Sequence, residues 1–200
     1  MIFLSDKQII SHGKTRKCYV HPDNNKLCIK VMKPLHKNAK FLRKEIIYYK
    51  KIQNRNKKYS LTFFASYHGT VETNMGIGYL YSLIKDYDGK ISLPLKHYLE
   101  TKLISEFPNK LSKAALTDLK QKMVKYRVFG YDVYHDNLLC KLKGKHDIEL
   151  VLVDGLGIHH KPMRFRSHFA FLINHFEFLA RARVEKLFIP LSKILSASGK

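Results

Sequence analysis

The chain has 200 residues, with 37 Lys and Arg against 16 Asp and Glu, so its formal charge is +21. Apolar residues make up 45% of the sequence and include 12 Tyr and 12 Phe, which excludes a wholly disordered chain and suits one domain or two small lobes. The apolar runs are far shorter than the roughly 18 residues of a membrane span. Early charges at Asp6 and Lys7 argue against a signal peptide, and three Cys without a C-x-x-C spacing argue against a disulfide framework. We therefore expect a cytoplasmic protein.

The positive charge is concentrated near the start of the sequence. Residues 7–58 carry sixteen Lys and Arg but only two acids, whereas residues 59–109 are close to neutral. Apolar residues are interleaved throughout, so the basic region is not a detachable tail. It predicts either a solvated basic face or an electropositive face for an anionic partner such as a nucleotide, an acidic protein or a nucleic acid.

Apolar and turn patterns predict a β-rich first half that contains one helix. Strands are expected at residues 18–20, 27–32, 61–70 and 78–84, with a hairpin turn at 71–76. A helix is expected over residues 38–53, because Leu42, Ile46 and Tyr49 recur at i, i+4 and i+7. Asn38 is a suitable N-cap for it.

The second half is expected to be mostly helical. The polar residues 86–90 predict the connection between two lobes, and an apolar stripe from Leu111 to Val124 predicts a helix. Two short apolar runs, 138–142 and 148–153, predict a β-hairpin. Residues 169–179 form another apolar helical face, and Pro190 breaks or starts a final helix.

Two charged residues in the first half are candidates for an ion pair. Lys30 alternates with apolar residues on its predicted strand, and an isolated ammonium group is unfavourable in a core. Glu45 is the only acid in the predicted helix that follows.

A second group of polar residues surrounds the predicted hairpin. Asp132 precedes Asn137 by five residues, and Asn137 opens the first strand. Asp154 follows the returning strand, so the hairpin brings Asn137 and Asp154 to the same end. Their side-chain oxygens are hard ligands suited to Mg²⁺ with phosphates, and Asp132 is placed to orient or deprotonate a hydroxyl group.

The order of these residues resembles the protein-kinase signature set: Lys on the third strand, Glu on the following helix, D-x-x-x-x-N, and an apolar strand ending in Asp-Gly. The resemblance implies that ATP and Mg²⁺ are the cofactors. The implied nucleotide-binding residues are Gly13, Lys30, Glu45 and, through backbone groups that meet adenine, Lys85, Asp86 and Tyr87. The implied metal ligands are Asn137 and Asp154, and the implied catalytic residue is Asp132.

More specific segments make the chain similar to a small bacterial family, the PhoP regulatory network protein YrbL. They lie, in order, at residues 16–22, 28–30, 67–73, 76–79, 86–90 and 137–140. His-Gly-Thr-Val-Glu-Thr and Asp-Tyr-Asp-Gly-Lys are not general kinase motifs. The resemblance implies an α+β, protein-kinase-like, two-lobed fold: a single domain with a small β-rich N-lobe (1–86) and a reduced helical C-lobe (87–200).

The sequence departs from an active kinase in several places. Gly13 is the only glycine of the phosphate loop, where Lys14, Arg16 and Lys17 would compensate by charge. Gly130-Tyr131 stands where kinases have His-Arg, and no Phe follows Asp154. Only 46 residues follow Asp154, so we expect a small or non-protein acceptor rather than a large protein substrate.

Three functions therefore remain open. The first is ATP–Mg²⁺ binding with phosphotransfer to a small acceptor. The second is a pseudokinase-like regulatory module that acts through its basic surface on an acidic partner, and the third is a basic nucleic-acid-binding protein. Zinc binding is disfavoured, because His159, His160, His168 and His175 lack the i, i+4 spacing of helical zinc sites.

Overall fold

The computed structural model describes residues 1–34, 39–101, 109–130, 132–145, 147–157 and 188. The predicted Asn38 cap, the helix over 169–179, the Pro190 break and the four histidines considered for zinc lie outside these residues. The chain divides into two compact units. The first comprises Met1–Gln53 and Ala65–Ile84, and the second comprises Asn54–Phe64 and Lys85–Lys200. The lobe boundaries expected at 1–86 and 87–200 stay a prediction.

The first unit is built on a five-stranded antiparallel sheet in the order β1-β2-β3-β5-β4. Its strands are β1 (Ile9–His12), β2 (Arg16–Val20), β3 (Leu27–Met32), β4 (Tyr67–Thr73) and β5 (Gly76–Ser82). Helix α1 (Ala39–Arg55) lies between β3 and β4 in the chain. The predicted strand 27–32 and the predicted helix are confirmed, whereas β1 was not expected.

One predicted strand is wrong in its first half. Residues 61–66 form an irregular connection, and β4 runs from Tyr67 through the segment expected as a turn to Thr73. The connection resembles a strand in sequence because Phe63, Phe64 and Ala65 are all buried. Among the described residues its one isolated bridge joins Phe64 to Leu152, so burial outside a regular strand ladder produced the misleading pattern.

The sheet buries apolar side chains on both faces. On one face the core contains Leu4, Tyr19, Ile29 and Val31. Gly78 lies beside them, where an added Cβ would come within 2.5 Å of the Ile29 Cγ2 atom. On the other face, rings of α1 and the sheet pack together, with the Tyr49 and Tyr81 centroids 5.3 Å apart. Lys30 lies on this second face, because it is paired with Cys18 of β2 and Tyr79 of β5.

The His-Gly-Thr-Val-Glu-Thr segment shapes the β4–β5 hairpin. Gly69 has a φ of +119° at an irregularity in the pairing, a conformation that favours glycine. The Thr73 hydroxyl donates to the Gly76 carbonyl oxygen at 2.6 Å. Next to the motif, the Asn74 side chain bonds both the N–H and the C=O of Leu4, at 2.8 and 3.1 Å. The motif thus holds the hairpin together, and Asn74 beside it fastens the N-terminal segment to the hairpin.

The second unit contains helices α2 (Leu95–Glu100) and α3 (Asn109–Lys125) and a three-stranded sheet. The sheet has the order β6-β7-β8, formed by β6 (Leu93–Pro94), β7 (Leu138–Leu142) and β8 (Ile148–Leu152). The predicted hairpin and the helix around residues 111–124 are confirmed, whereas α2 and β6 were not expected. No helix among the described residues is long and apolar enough to cross a membrane.

A buried carboxylate on β8 organises one side of this unit. Glu149 accepts hydrogen bonds from the Thr62 hydroxyl at 2.6 Å and from the Lys122 ammonium at 3.1 Å. Lys122 also bonds Asp118 at 2.7 Å. Burial raises the pKa of the Glu149 carboxyl, but the hydrogen bonds from Thr62 and Lys122 outweigh it and hold the pKa below its ordinary value. The network therefore ties α3 and the 54–64 segment to the sheet.

Candidate functional site

Lys30 is a buried cation in the first unit. Its residue is 7% exposed, and its ammonium nitrogen lies 4.7 Å from the centroid of the Tyr81 ring. The ring face is attractive to a cation, and this offsets part of the cost of burying the charge. The sheet therefore presents a lysine ammonium on the face that packs against α1.

The carboxylate of Glu45 meets this face from α1. It is bound by the guanidinium of Arg16, with N···O distances of 3.2, 3.3 and 3.4 Å. The Arg16 and Glu45 side chains are 10% and 7% exposed, so the pair is buried. From the sequence, Arg16 was a charge near the phosphate loop and part of the family-like segment 16–22, and its contact with Glu45 was missed. The expected pairing of Glu45 with Lys30 stays a prediction.

Gly13 lies in the turn between β1 and β2. An added Cβ would come within 3.1 Å of the Arg16 carbonyl oxygen, so the turn is tight at this position. Its predicted role against phosphate remains a prediction.

In the second unit, the hairpin brings the predicted metal ligands to one end. Leu138 pairs with Leu152, so Asn137 immediately precedes one strand and Asp154 follows soon after the other. The Val153 N–H donates to the Asn137 carbonyl oxygen at 2.9 Å. Antiparallel pairing alone is enough for this arrangement, which is why the sequence could predict it.

Asp132 is joined to the same cluster by Asn137. The Asn137 side-chain nitrogen donates to the Asp132 backbone oxygen and to its Oδ2 atom, at 3.0 Å each. With the nitrogen used in this way, the Oδ1 atom of Asn137 accepts no hydrogen bond from any residue that the structure describes. It is therefore available to a cation.

Gly155 allows the chain to pass close to the backbone of Asp132. Its φ is +74°, and an added Cβ would lie 2.6 Å from the Asp132 carbonyl oxygen and 2.8 Å from its Cβ atom. The Gly155 N–H donates to Asp154 Oδ1 at 2.8 Å. The Asp-Gly pair thus holds the backbone at Asp132 and the Asp154 carboxylate in one compact turn.

The donor set in this unit fits Mg²⁺ better than a softer metal. Magnesium is usually held by one or two carboxylate or amide oxygens, with water and substrate phosphates completing the octahedron. Asn137 and Asp154 would supply two such oxygens. Among the described residues there is no group of three or more His, Cys, Asp or Glu that could enclose a metal by itself.

The residues expected to meet adenine are tied into the second unit. The Asp86 N–H donates to the Lys90 carbonyl oxygen at 2.8 Å, and the Tyr87 N–H donates to the Leu142 carbonyl oxygen at 2.9 Å. Asp86 Oδ1 accepts from the Ser92 hydroxyl at 2.6 Å and the Leu142 N–H at 2.9 Å. Lys85 bridges to Ile91. Adenine binding by this segment stays a prediction and would have to use other backbone groups.

The two buried cysteines do not suit thiolate chemistry. Hydrogen bonding with Cys18 and burial raise the pKa of Cys28 well above its ordinary value. Burial, together with the negative charge of Asp86, raises the pKa of Cys140 to about 12. Both thiols therefore stay protonated near neutral pH and pack as small apolar groups.

These elements define an α+β fold of the protein-kinase class, with an N-terminal antiparallel sheet and helices. The PknI kinase domain of Mycobacterium tuberculosis matches the chain with a TM-score of 0.50 and 14% sequence identity. The match covers 78% of this chain and 60% of that domain, so the chain spans less than two thirds of it. At this identity the similarity shows the fold alone.

A more specific match, to a family model, identifies the family. The family model of PhoP regulatory network protein YrbL matches residues 2–192, so the chain belongs to that family. Proteins described as "Uncharacterized protein YrbL" from Escherichia coli (strain K12) and Shigella flexneri are each 34% identical to it over 160 residues. Each alignment covers 78% of this chain and 74% of the relative. The predicted family and kinase-like fold are confirmed.

Proposed function

We propose that the chain is a kinase-like protein that binds ATP with Mg²⁺. Lys30 would bind the α- and β-phosphates, and Glu45 would fix Lys30 in place. Asn137 and Asp154 would hold Mg²⁺, which supplies charge neutralisation for the phosphates when it is bound. Asp132 would orient the acceptor hydroxyl or accept its proton.

One observation carries this proposal: the arrangement of Asp132, Asn137 and Asp154 at the end of the β7–β8 hairpin. The Asn137 side-chain nitrogen donates to Asp132, so the side-chain oxygen is available to a cation. Gly155 has the backbone conformation that this turn needs. A purely structural loop would not require a carboxylate, an amide and an Asp-Gly turn at the same point.

Thermal unfolding with and without ATP and Mg²⁺ tests nucleotide binding. A ligand at 100 times its dissociation constant stabilises the folded state by about 2.7 kcal/mol. We expect a Mg²⁺-dependent rise in the midpoint for the wild type and its loss in Asp154→Ala. Asp147→Ala is the matched control, because Asp147 is exposed on the turn of the same hairpin. No rise in the wild type, or an equal rise in Asp154→Ala, would contradict the proposal.

Phosphotransfer to a small or non-protein acceptor is the second part of the proposal. Asp132→Asn should keep the nucleotide-dependent stabilisation and lose acceptor-dependent ATP consumption, because it keeps the shape of the loop and removes the proton acceptor. A panel of small alcohols and amines, assayed by ADP release, measures this. If the wild type binds ATP but consumes none with any acceptor, the pseudokinase-like alternative replaces this part of the proposal.

A further inference from the structure

Helix α1 buries one side and exposes the other. The buried side contains Leu42, Glu45, Tyr49 and Ile52. These residues recur at steps of three and four positions, which places them along one side of an α-helix. The main apolar side of α1 is therefore used inside the first unit, and only the opposite side can meet another molecule.

The exposed side of α1 centres on Ile47, which is 58% exposed. Side chains three and four positions apart are neighbours on the surface of a helix. Arg43 and Lys44 lie at those positions before Ile47, and Lys50 and Lys51 lie at those positions after it. All four cations are exposed. These five residues form the basic face of α1, in which an exposed apolar side chain has cations on both sides along the helix.

The basic face contains no acid. Glu45 is the only acid on α1, and it lies on the buried side, where Arg16 binds it. Among the residues that the structure describes, no carboxylate pairs with Arg43, Lys44 or Lys50. Like charges at helical spacing destabilise one another, so an anionic partner would relieve repulsion on this face.

We propose that the basic face of α1 docks an acidic segment of another protein. An apolar side chain of that segment would pack on Ile47, and its carboxylates would meet Arg43, Lys44 and Lys50. An apolar centre with a charged rim is the usual arrangement of a protein–protein interface. The inference is independent of the proposed nucleotide binding.

Two other anionic partners fit the basic face less well. A nucleic acid would use the cations through its phosphates, but it would gain nothing from the exposed Ile47 at their centre. A helix that lies in a membrane surface inserts a wide apolar stripe, whereas the apolar stripe of α1 is buried in the first unit.

Binding of a synthetic helical peptide tests the inference. The peptide carries one Leu with Glu three and four positions away on both sides, and it contains no Lys or Arg. Amide chemical shifts of the isotope-labelled full chain, followed at constant ionic strength, give the dissociation constant and show which residues respond. We expect saturable shifts that are largest within residues 43–51. Absence of saturable shifts there at millimolar peptide would overturn the inference.

A charge-reversal variant shows whether the cations act locally. Lys44→Glu combined with Lys50→Glu should weaken peptide binding by about tenfold or more. The matched control is Lys7→Glu combined with Lys26→Glu, which changes the net charge equally at two exposed positions elsewhere in the first unit. The control should stay within about threefold of wild type. Equal weakening in the two double variants would show an effect of overall charge only and would overturn the inference.

A double-mutant cycle shows whether Ile47 meets the apolar residue of the peptide. Ile47→Ala should weaken binding about fivefold, and replacing the peptide Leu by Ala should do the same. Because each change removes the same contact, the two together should weaken binding little more than either one alone. Losses that simply add would mean that the two side chains do not touch, which contradicts the proposed docking.

The other partner classes are measured with the same proteins. If duplex DNA or phosphatidylserine vesicles bind the wild type more tightly than the peptide, and Lys44→Glu with Lys50→Glu weakens that binding, the basic face serves a different partner and the inference is overturned. Circular dichroism checks the fold of each variant. Should the charge reversal fold poorly, Lys44→Gln with Lys50→Gln replaces it, with an expected weakening of about fivefold; unchanged binding there would also overturn the inference.

Discussion

The two units hold their candidate functional carboxylates in opposite ways. Glu45 is buried on a long helix and bound by a guanidinium from a strand. Asp132 is exposed on a loop, fixed by an amide side chain and by a glycine packed against its backbone. The first depends on charge compensation in a medium of low polarity, and the second on backbone shape. A residue of the same chemical class can therefore be positioned by quite different physics, and the two arrangements should respond differently to substitution.

The largest expected effect is on the buried pair. Glu45→Ala leaves the buried guanidinium of Arg16 without that carboxylate, and removing one partner of a buried pair typically costs about 3 kcal/mol. Urea unfolding monitored by circular dichroism measures this. Asp132→Ala is the control, with an expected loss below about 1 kcal/mol, because its side chain is exposed. Equal losses of unfolding free energy in Glu45→Ala and Asp132→Ala would contradict this difference between the two units.

The loop in the second unit should be sensitive to backbone shape instead. Gly155→Ala combines a left-handed φ of +74° with a 2.6 Å approach to the Asp132 carbonyl oxygen, and we expect a loss of about 2 kcal/mol in unfolding free energy. Gly89→Ala is the matched control: its φ is +86°, but no atom lies within 4 Å of the added Cβ. Its loss should be about 1 kcal/mol. If Gly89→Ala costs as much, backbone conformation alone accounts for the effect, and contact with Asp132 contributes nothing.

A buried carboxylate in the second unit should make stability depend on pH. Glu149 has a folded-state pKa below its ordinary value of 4.5, so its bonds to Thr62 and Lys122 contribute stability that is present above about pH 4.5. This stability is lost as the pH falls through the folded-state pKa. The difference in unfolding free energy between wild type and Glu149→Gln, measured by urea unfolding from pH 7 to pH 3, should shrink on acidification. A constant or growing difference would show that Glu149 does not carry this dependence.

The smallest effect is expected for an exposed ion pair. Lys90 lies 2.9 Å from Asp88, and the two side chains are 82% and 37% exposed. Lys90→Ala should leave the unfolding free energy almost unchanged, because water and salt screen such pairs. Asp86→Ala, in the same segment, should cost more, since Asp86 accepts two hydrogen bonds that join Ser92 and Leu142. Similar losses of unfolding free energy in the two variants would mean that burial does not determine how much these charged side chains contribute to stability.

Local patterns in the sequence were sufficient for the elements whose partners lie nearby. The strand 27–32 and the hairpin with Asn137 and Asp154 at one end follow from apolar alternation and from a turn between adjacent runs. The helical periodicity of α1 was equally clear. The kinase-like class followed from the order of a few chemically distinctive residues, which the backbone connectivity preserves.

Only the tertiary structure decided the contacts that join distant segments. Arg16 and Glu45 are separated by 29 positions, and Thr62 and Glu149 by 87. No local pattern distinguishes Arg16 from the other cations around it. The buried residues Phe63 and Phe64 looked like a strand because burial, rather than pairing, set their composition. Charge compensation depends on which side chains are buried together, and only the packed fold determines that.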